Sequence, residues 1–224
     1  KKIAPDIIMQ YADYLNSTGK FRQALNLIKQ YLAEYSELKE FIPILFHNRI
    51  VNLIRSNQNE KAIKTAVEGI NYDEKFKKYI GDIYTNWITA LIRENRQAEA
   101  YSVVQQLYNS PYKNTKTIEV YYKFVKYYVA FFIQNGAIIK AKTVLDAETP
   151  KLPAAILRDV GEYFYVRSAE YYLKKGEPEN SCNYFLYAAA NYSTGERFLK
   201  IKTEYPFRLV VVAKENGKLN IVNS

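Results

Sequence analysis

A turn-type residue followed five positions later by a small residue recurs five times along these 224 residues. The pairs are Gly19 with Ala24, Asn57 with Ala62, Asn95 with Ala100, Gly136 with Ala141, and Gly176 with Ser181. Successive small residues are 38, 38, 41 and 40 positions apart. A regular interval of this size marks a stack of supersecondary units, which constrains the fold more than any single residue does. Gly and Asn tolerate the left-handed backbone that ends a helix, so each is placed where a first helix stops. The small residue then lies in a second helix, at the point of closest approach to the first. An apolar residue stands four positions before each turn residue: Leu15, Leu53, Leu91, Phe132 and Tyr172. That is one helical turn back, on the face the second helix covers. One helical hairpin is written five times.

The pattern predicts first helices over 6–17, 42–56, 78–94, 117–134 and 154–175, and second helices over 21–34, 60–70, 97–108, 138–147 and 177–192. Linkers such as 72–75, 109–114 and 149–153 carry the polar and Pro residues of inter-hairpin turns. Hairpins this short cannot bury both faces alone and must stack on their neighbours. From Phe207 the pattern changes. Two apolar runs, 208–213 and 218–222, flank Glu215, Asn216 and Gly217. Asn-Gly between β-formers predicts a type I′ β-hairpin, because both residues accept positive φ.

The run Tyr11, Ala12, Leu15, Gly19, Phe21 and Ala24 resembles the tetratricopeptide repeat pattern of a bulky residue, a small residue, an aromatic position, Gly, an aromatic and Ala. Partial matches are Trp87, Leu91, Asn95 and Ala100 in the third unit, and Ala169, Tyr172, Gly176 and Ser181 in the fifth. The second and fourth units carry Ile50 and Val129 where the first helix of the family has its small residue. The family's unit is about 34 residues long, so the longer interval here implies longer helices or linkers. The resemblance covers about residues 4–193. It implies an all-α fold, an α-α superhelix or TPR-like solenoid of about five hairpins over 1–200. Residues 201–224 are expected to form the short C-terminal β-hairpin or to open a following domain.

Composition excludes several classes. Eight Gly and seven Pro are too few for a chain that turns every ten residues. Cys182 is the lone cysteine, so no internal disulfide is expected, and the chain is placed in the cytoplasm. The most apolar stretch, 121–133, is interrupted by Lys123 and Lys126, so no membrane span is expected. The chain opens at Lys1 rather than Met, without a signal peptide in view, and reads as a piece of something longer. The net charge is +9, but basic and acidic residues alternate without a basic cluster, as on a solvated surface.

No phosphate-binding Gly loop, nucleophile elbow or Cys-x-x-Cys occurs, and His47 is the only histidine. No catalytic residue, metal or cofactor is therefore expected, and the protein is read as not an enzyme. Cys182 reads as core. The 22 Tyr residues read first as packing for wide helix interfaces, with an aromatic peptide groove as the sharper alternative.

In the tetratricopeptide family the first helices line a concave groove that holds peptide. Carried over, the resemblance implies a partner surface of Met9, Asp13 and Asn16; His47, Val51 and Arg55; Thr85, Thr89 and Arg93; Lys123, Lys126 and Ala130; and Val166, Glu170 and Lys174. Arg55, Arg93, Lys123 and Lys126 make its middle basic, which suits a carboxylate or an acidic segment. The expected function is a protein- or peptide-binding interaction scaffold. Two alternatives stay open: the ligand-sensing, peptide-pheromone-receptor-like part of a transcription regulator, and an RNA-binding helical repeat. Unit length speaks against the latter, and direct nucleic-acid binding is not favoured.

Overall fold

The computed structural model describes residues 4–204, and at every hairpin tip the backbone does what the turn residues permit. Gly19, Asn57, Asn95, Gly136 and Gly176 have φ of 85°, 55°, 58°, 71° and 76°. The amide after each donates back to the apolar residue noted above: Lys20 to Leu15, Gln58 to Leu53, Arg96 to Leu91, Ala137 to Phe132 and Glu177 to Tyr172, at 2.8–2.9 Å. The turn residue's own amide donates to the carbonyl three residues back. This double closure is the Schellman motif, which satisfies carbonyls the helix end would otherwise leave bare. Four small residues, Ala24, Ala62, Ala100 and Ala141, are fully buried. Ser181, standing in the fifth place, donates its hydroxyl to Ala169 O at 2.8 Å, so the change from Ala brings its own acceptor.

Eleven α-helices are present among the described residues: α1 (Pro5–Ser17), α2 (Phe21–Tyr31), α3 (Leu38–Arg55), α4 (Asn59–Gly69), α5 (Phe76–Arg93), α6 (Gln97–Asn109), α7 (Thr115–Gln134), α8 (Ile138–Glu148), α9 (Ala154–Lys175), α10 (Pro178–Tyr192) and α11 (Glu196–Glu204). A single 3-10 turn, Thr149–Lys151, joins α8 to α9. The five hairpins are α1/α2, α3/α4, α5/α6, α7/α8 and α9/α10. Helix α3 starts at Leu38, earlier than its predicted start at 42, and runs through Pro43. Proline removes one amide donor, but Leu38 is fully buried, and that burial holds the additional turn.

The chain divides into two compact units between Ile118 and Glu119, inside α7. In the first, α3 packs on α1, α2 and α4, and α5 on α4 and α6. Phe46 anchors its core, with the rings of Phe21, Tyr72 and Phe76 at 4.9, 5.2 and 6.0 Å. In the second, α9 packs on α8, α10 and α11, around Phe164 and the stacked pair Tyr165 and Tyr187. The Tyr121 hydroxyl donates to Glu148, both fully buried, tying α7 to the end of α8.

The fold class needs one correction. No strand occurs among the described residues, which are all-α, so the expected C-terminal β-hairpin is not part of this architecture. Its runs 208–213 and 218–222 lie outside the described residues. Residues 201–204, assigned with 205–224 to that hairpin or to a following domain, are instead the last turn of α11. The physical reason sits in α9. The Glu162 carboxylate accepts the Arg197 and Phe198 amides at 2.8 and 3.0 Å, satisfying the first turn of α11 from outside. Phe198 and Ile201 are buried, with Phe198 stacked 5.2 Å from Phe185.

Candidate functional site

The first helices α1 and α3 run side by side in the same direction, and a furrow lies between them. Its upstream half is a cleft of about 430 Å³ lined by Asp6, Met9, Gln10, Asp13, Phe41, Ile44 and Asn48. Its downstream half, about 360 Å³, is lined by Asp13, Asn16, Ser17, His47, Asn48, Val51, Asn52 and Arg55. Asp13 and Asn48 belong to both halves, and the Asn48 amide donates to Asp13 Oδ1 at 3.1 Å. Parallel packing follows from the repeat, because equivalent first helices are one unit apart and point the same way. Six of the fifteen residues expected at the partner surface, Met9, Asp13, Asn16, His47, Val51 and Arg55, come together here.

Polarity changes along the furrow. Asp6 and Asp13 give the upstream part negative charge beside the apolar Met9, Phe41 and Ile44, and Ile44 is exposed. Arg55 closes the downstream end, exposed in the last turn of α3 and without an ion-pair partner among the described residues. The His47 ring lies 5.6 Å from the Tyr79 ring of α5.

Asn16 departs from the exposed groove position expected of it. It is 1% exposed; its Nδ2 donates to Leu45 O at 2.9 Å, while Oδ1 has no hydrogen-bond partner. An orphaned buried acceptor costs roughly 1–3 kcal/mol. Counting eight residues back from each unit's small residue gives Asn16, Ile54, Ile92, Ile133 and Leu173. One repeat carries a carboxamide where four carry a branched aliphatic side chain. That mismatch was readable in the sequence and singles out this position. Ser17, Asn48 and Asn52 were not foreseen. Asn48 and Asn52, one turn apart on α3, stand one position after His47 and Val51, which the family resemblance assigned to the groove.

The remaining expected residues lie elsewhere. Thr85 and Thr89 of α5 donate their hydroxyls to Gly81 O and Thr85 O at 2.9 and 2.8 Å, so those hydrogens serve their own helix. Arg93 is exposed at the end of α5. In the second unit Lys123 is exposed, whereas Lys126 is paired with Asp159 Oδ2 at 2.6 Å and Glu170 with Arg167 at 2.6 Å. Val166 is buried. Asp159 also meets Arg197 at 2.7 Å. Partial burial pushes its pKa up, but the hydrogen bonds and charges of Lys126 and Arg197 outweigh this and hold it below the ordinary 3.8. Lys126 is thus neutralised within its own unit.

Among the described residues no helix is long and apolar enough to cross a membrane, and no group of three or more His, Cys, Asp or Glu side chains is placed to hold a metal ion. Cys182 is buried. No protein-family model matches the sequence, and no curated protein matches it either.

Proposed function

We propose that this protein is a non-enzymatic, helical-repeat scaffold of the tetratricopeptide-like type that binds a peptide or protein segment along its first helices. The carrying observation is the α1/α3 furrow, whose walls come from successive units and gather six of the expected partner residues. A furrow with apolar and charged stations in sequence suits an extended chain, which presents side chains at regular spacing. The uniform hairpin closures support the resemblance to a repeat family, since such repeats place binding residues on a common face. Function rests here on the site, because fold alone hosts many activities.

Selection from a phage-displayed library of twelve-residue random segments, about one furrow length and its flanks by the rise of an extended chain, tests this reading. Selected segments should lose more affinity against Arg55→Glu with Arg93→Glu than against Lys29→Glu with Lys64→Glu, the latter on exposed second-helix positions. Failure to enrich any segment, or equal losses in the two double variants, would remove it.

A further inference from the structure

We propose that the cleft between α2 and α4 is an anion site for a small soluble molecule carrying two phosphoryl groups. It shares no lining residue with the α1/α3 furrow and does not rest on the peptide-binding reading. Its volume is about 420 Å³, and small-ligand sites run from roughly 300 to 1,000 Å³. Lys20 and Arg22 come from the tip of the first hairpin, Arg49 from α3, and Lys61 and Lys64 from α4, with Glu68 the one carboxylate in the lining. These cations stand in three separate segments of the sequence, so only the fold makes them a cluster.

Arg22 is already engaged, its guanidinium donating to both Glu68 oxygens at 2.5 and 2.8 Å. Lys20, Arg49, Lys61 and Lys64 have no ion-pair partner among the described residues, and Lys61 donates only to the Gln58 side-chain oxygen. Arg49 is half-buried, where its fork of donors is suited to gripping phosphate oxygens in pairs. A phosphoryl monoester carries about 1.5–2 negative charges at neutral pH, so two of them match the four uncompensated cations. The next pair of hairpins supplies an internal control. A cleft of about 350 Å³ lies at the start of α4 against α5. Displaced by the 38-residue interval, Gln58, Glu60 and Trp87 stand there in place of Lys20, Arg22 and Arg49. Its Arg96 is paired with Glu94 and Glu99. The repeat therefore does not require the cations: an aromatic ring serves the position that Arg49 charges. Like charges gathered in one cleft repel, and a bound anion relieves that cost. None of the lining residues is an exposed aromatic or large apolar side chain, which speaks against a lipid surface and against stacked nucleic-acid bases.

Calorimetric titration of the full chain at fixed ionic strength tests the site. The probes are pyrophosphate, fructose 1,6-bisphosphate and inositol 1,4-bisphosphate. Orthophosphate, a short single-stranded DNA and phosphatidylcholine vesicles containing phosphatidylinositol 4,5-bisphosphate serve as comparisons. At least one probe binds at a single site, about tenfold or more tighter than orthophosphate, and raises Tm by binding the folded state. Arg49→Gln with Lys64→Gln weakens that probe about tenfold or more and removes the rise in Tm. Lys39→Gln with Lys140→Gln takes the same charge from exposed positions outside the cleft and leaves both readings unchanged. Arg49→Trp, the residue type of the next cleft, loses binding as well. The proposal is overturned by no saturable binding of any probe, by equal losses in the two double variants, or by binding that survives Arg49→Trp. Tighter binding of the DNA or the vesicles than of every soluble probe overturns it too.

Discussion

Ala100 shows how little space one position needs to fix a hairpin. It is fully buried in α6 opposite α5, and its amide donates to Arg96 O at 2.9 Å just beyond the left-handed Asn95. Ala100→Leu should cost about 1–3 kcal/mol by forcing the paired helices apart, read as a lower urea midpoint at unchanged slope. Asp159 is the complementary electrostatic case. Its folded pKa lies below its ordinary value because of Lys126 and Arg197, so the stabilisation is present above the unfolded pKa and is lost as pH falls through the folded one. Asp159→Asn should therefore be less stable than wild type at neutral pH, with the difference vanishing in strong acid. Stability curves of the two proteins from pH 7 to pH 2 would check the sign.

A helix can be held by a side chain of another element, and α11 is an example. Its nine residues are too few to persist alone. The Glu162 carboxylate on the Arg197 and Phe198 amides, together with buried Phe198 and Ile201, holds it against α9 and α10. A methyl added at Gly195 would meet the same carboxylate. Loss of such a cap costs about 1 kcal/mol, so Glu162→Ala should raise hydrogen exchange across α11 roughly fivefold or more. Glu162→Gln keeps an acceptor and should raise it less. Uniform exchange in all three proteins would mean that apolar packing alone holds the helix.

For the molecule as a whole, the net charge is +9, and the furrow itself carries both signs. Attraction between Arg55 and a carboxylate is partly exposed to solvent and screened by ions. Affinity for a carboxylate-bearing peptide should fall as salt rises from 50 mM to 500 mM, and calorimetric titration at several concentrations measures the slope. The Lys126 position should not share in that slope, because Asp159 already neutralises it. Lys126→Gln should leave the salt dependence unchanged while lowering stability.

The sequence by itself determined the five hairpins. Gly19, Asn57, Asn95, Gly136 and Gly176 alone with their small partners five residues on state where helices end, because left-handed closure and close helix approach are local requirements that few residue types meet. The resemblance to the tetratricopeptide family, carried over position by position from each small residue, placed Asp13, His47 and Arg55 at a common groove. Only the tertiary structure decided what those faces meet. That Lys126 is spent on Asp159, that Asn16 is buried with an idle acceptor, and that residues 201–204 are helix capped by Glu162 all depend on groups brought together by packing. Asp159 and Glu162 stand more than thirty residues from the groups they hold, and a side chain's charge or acceptor is compensated by what lies beside it in space.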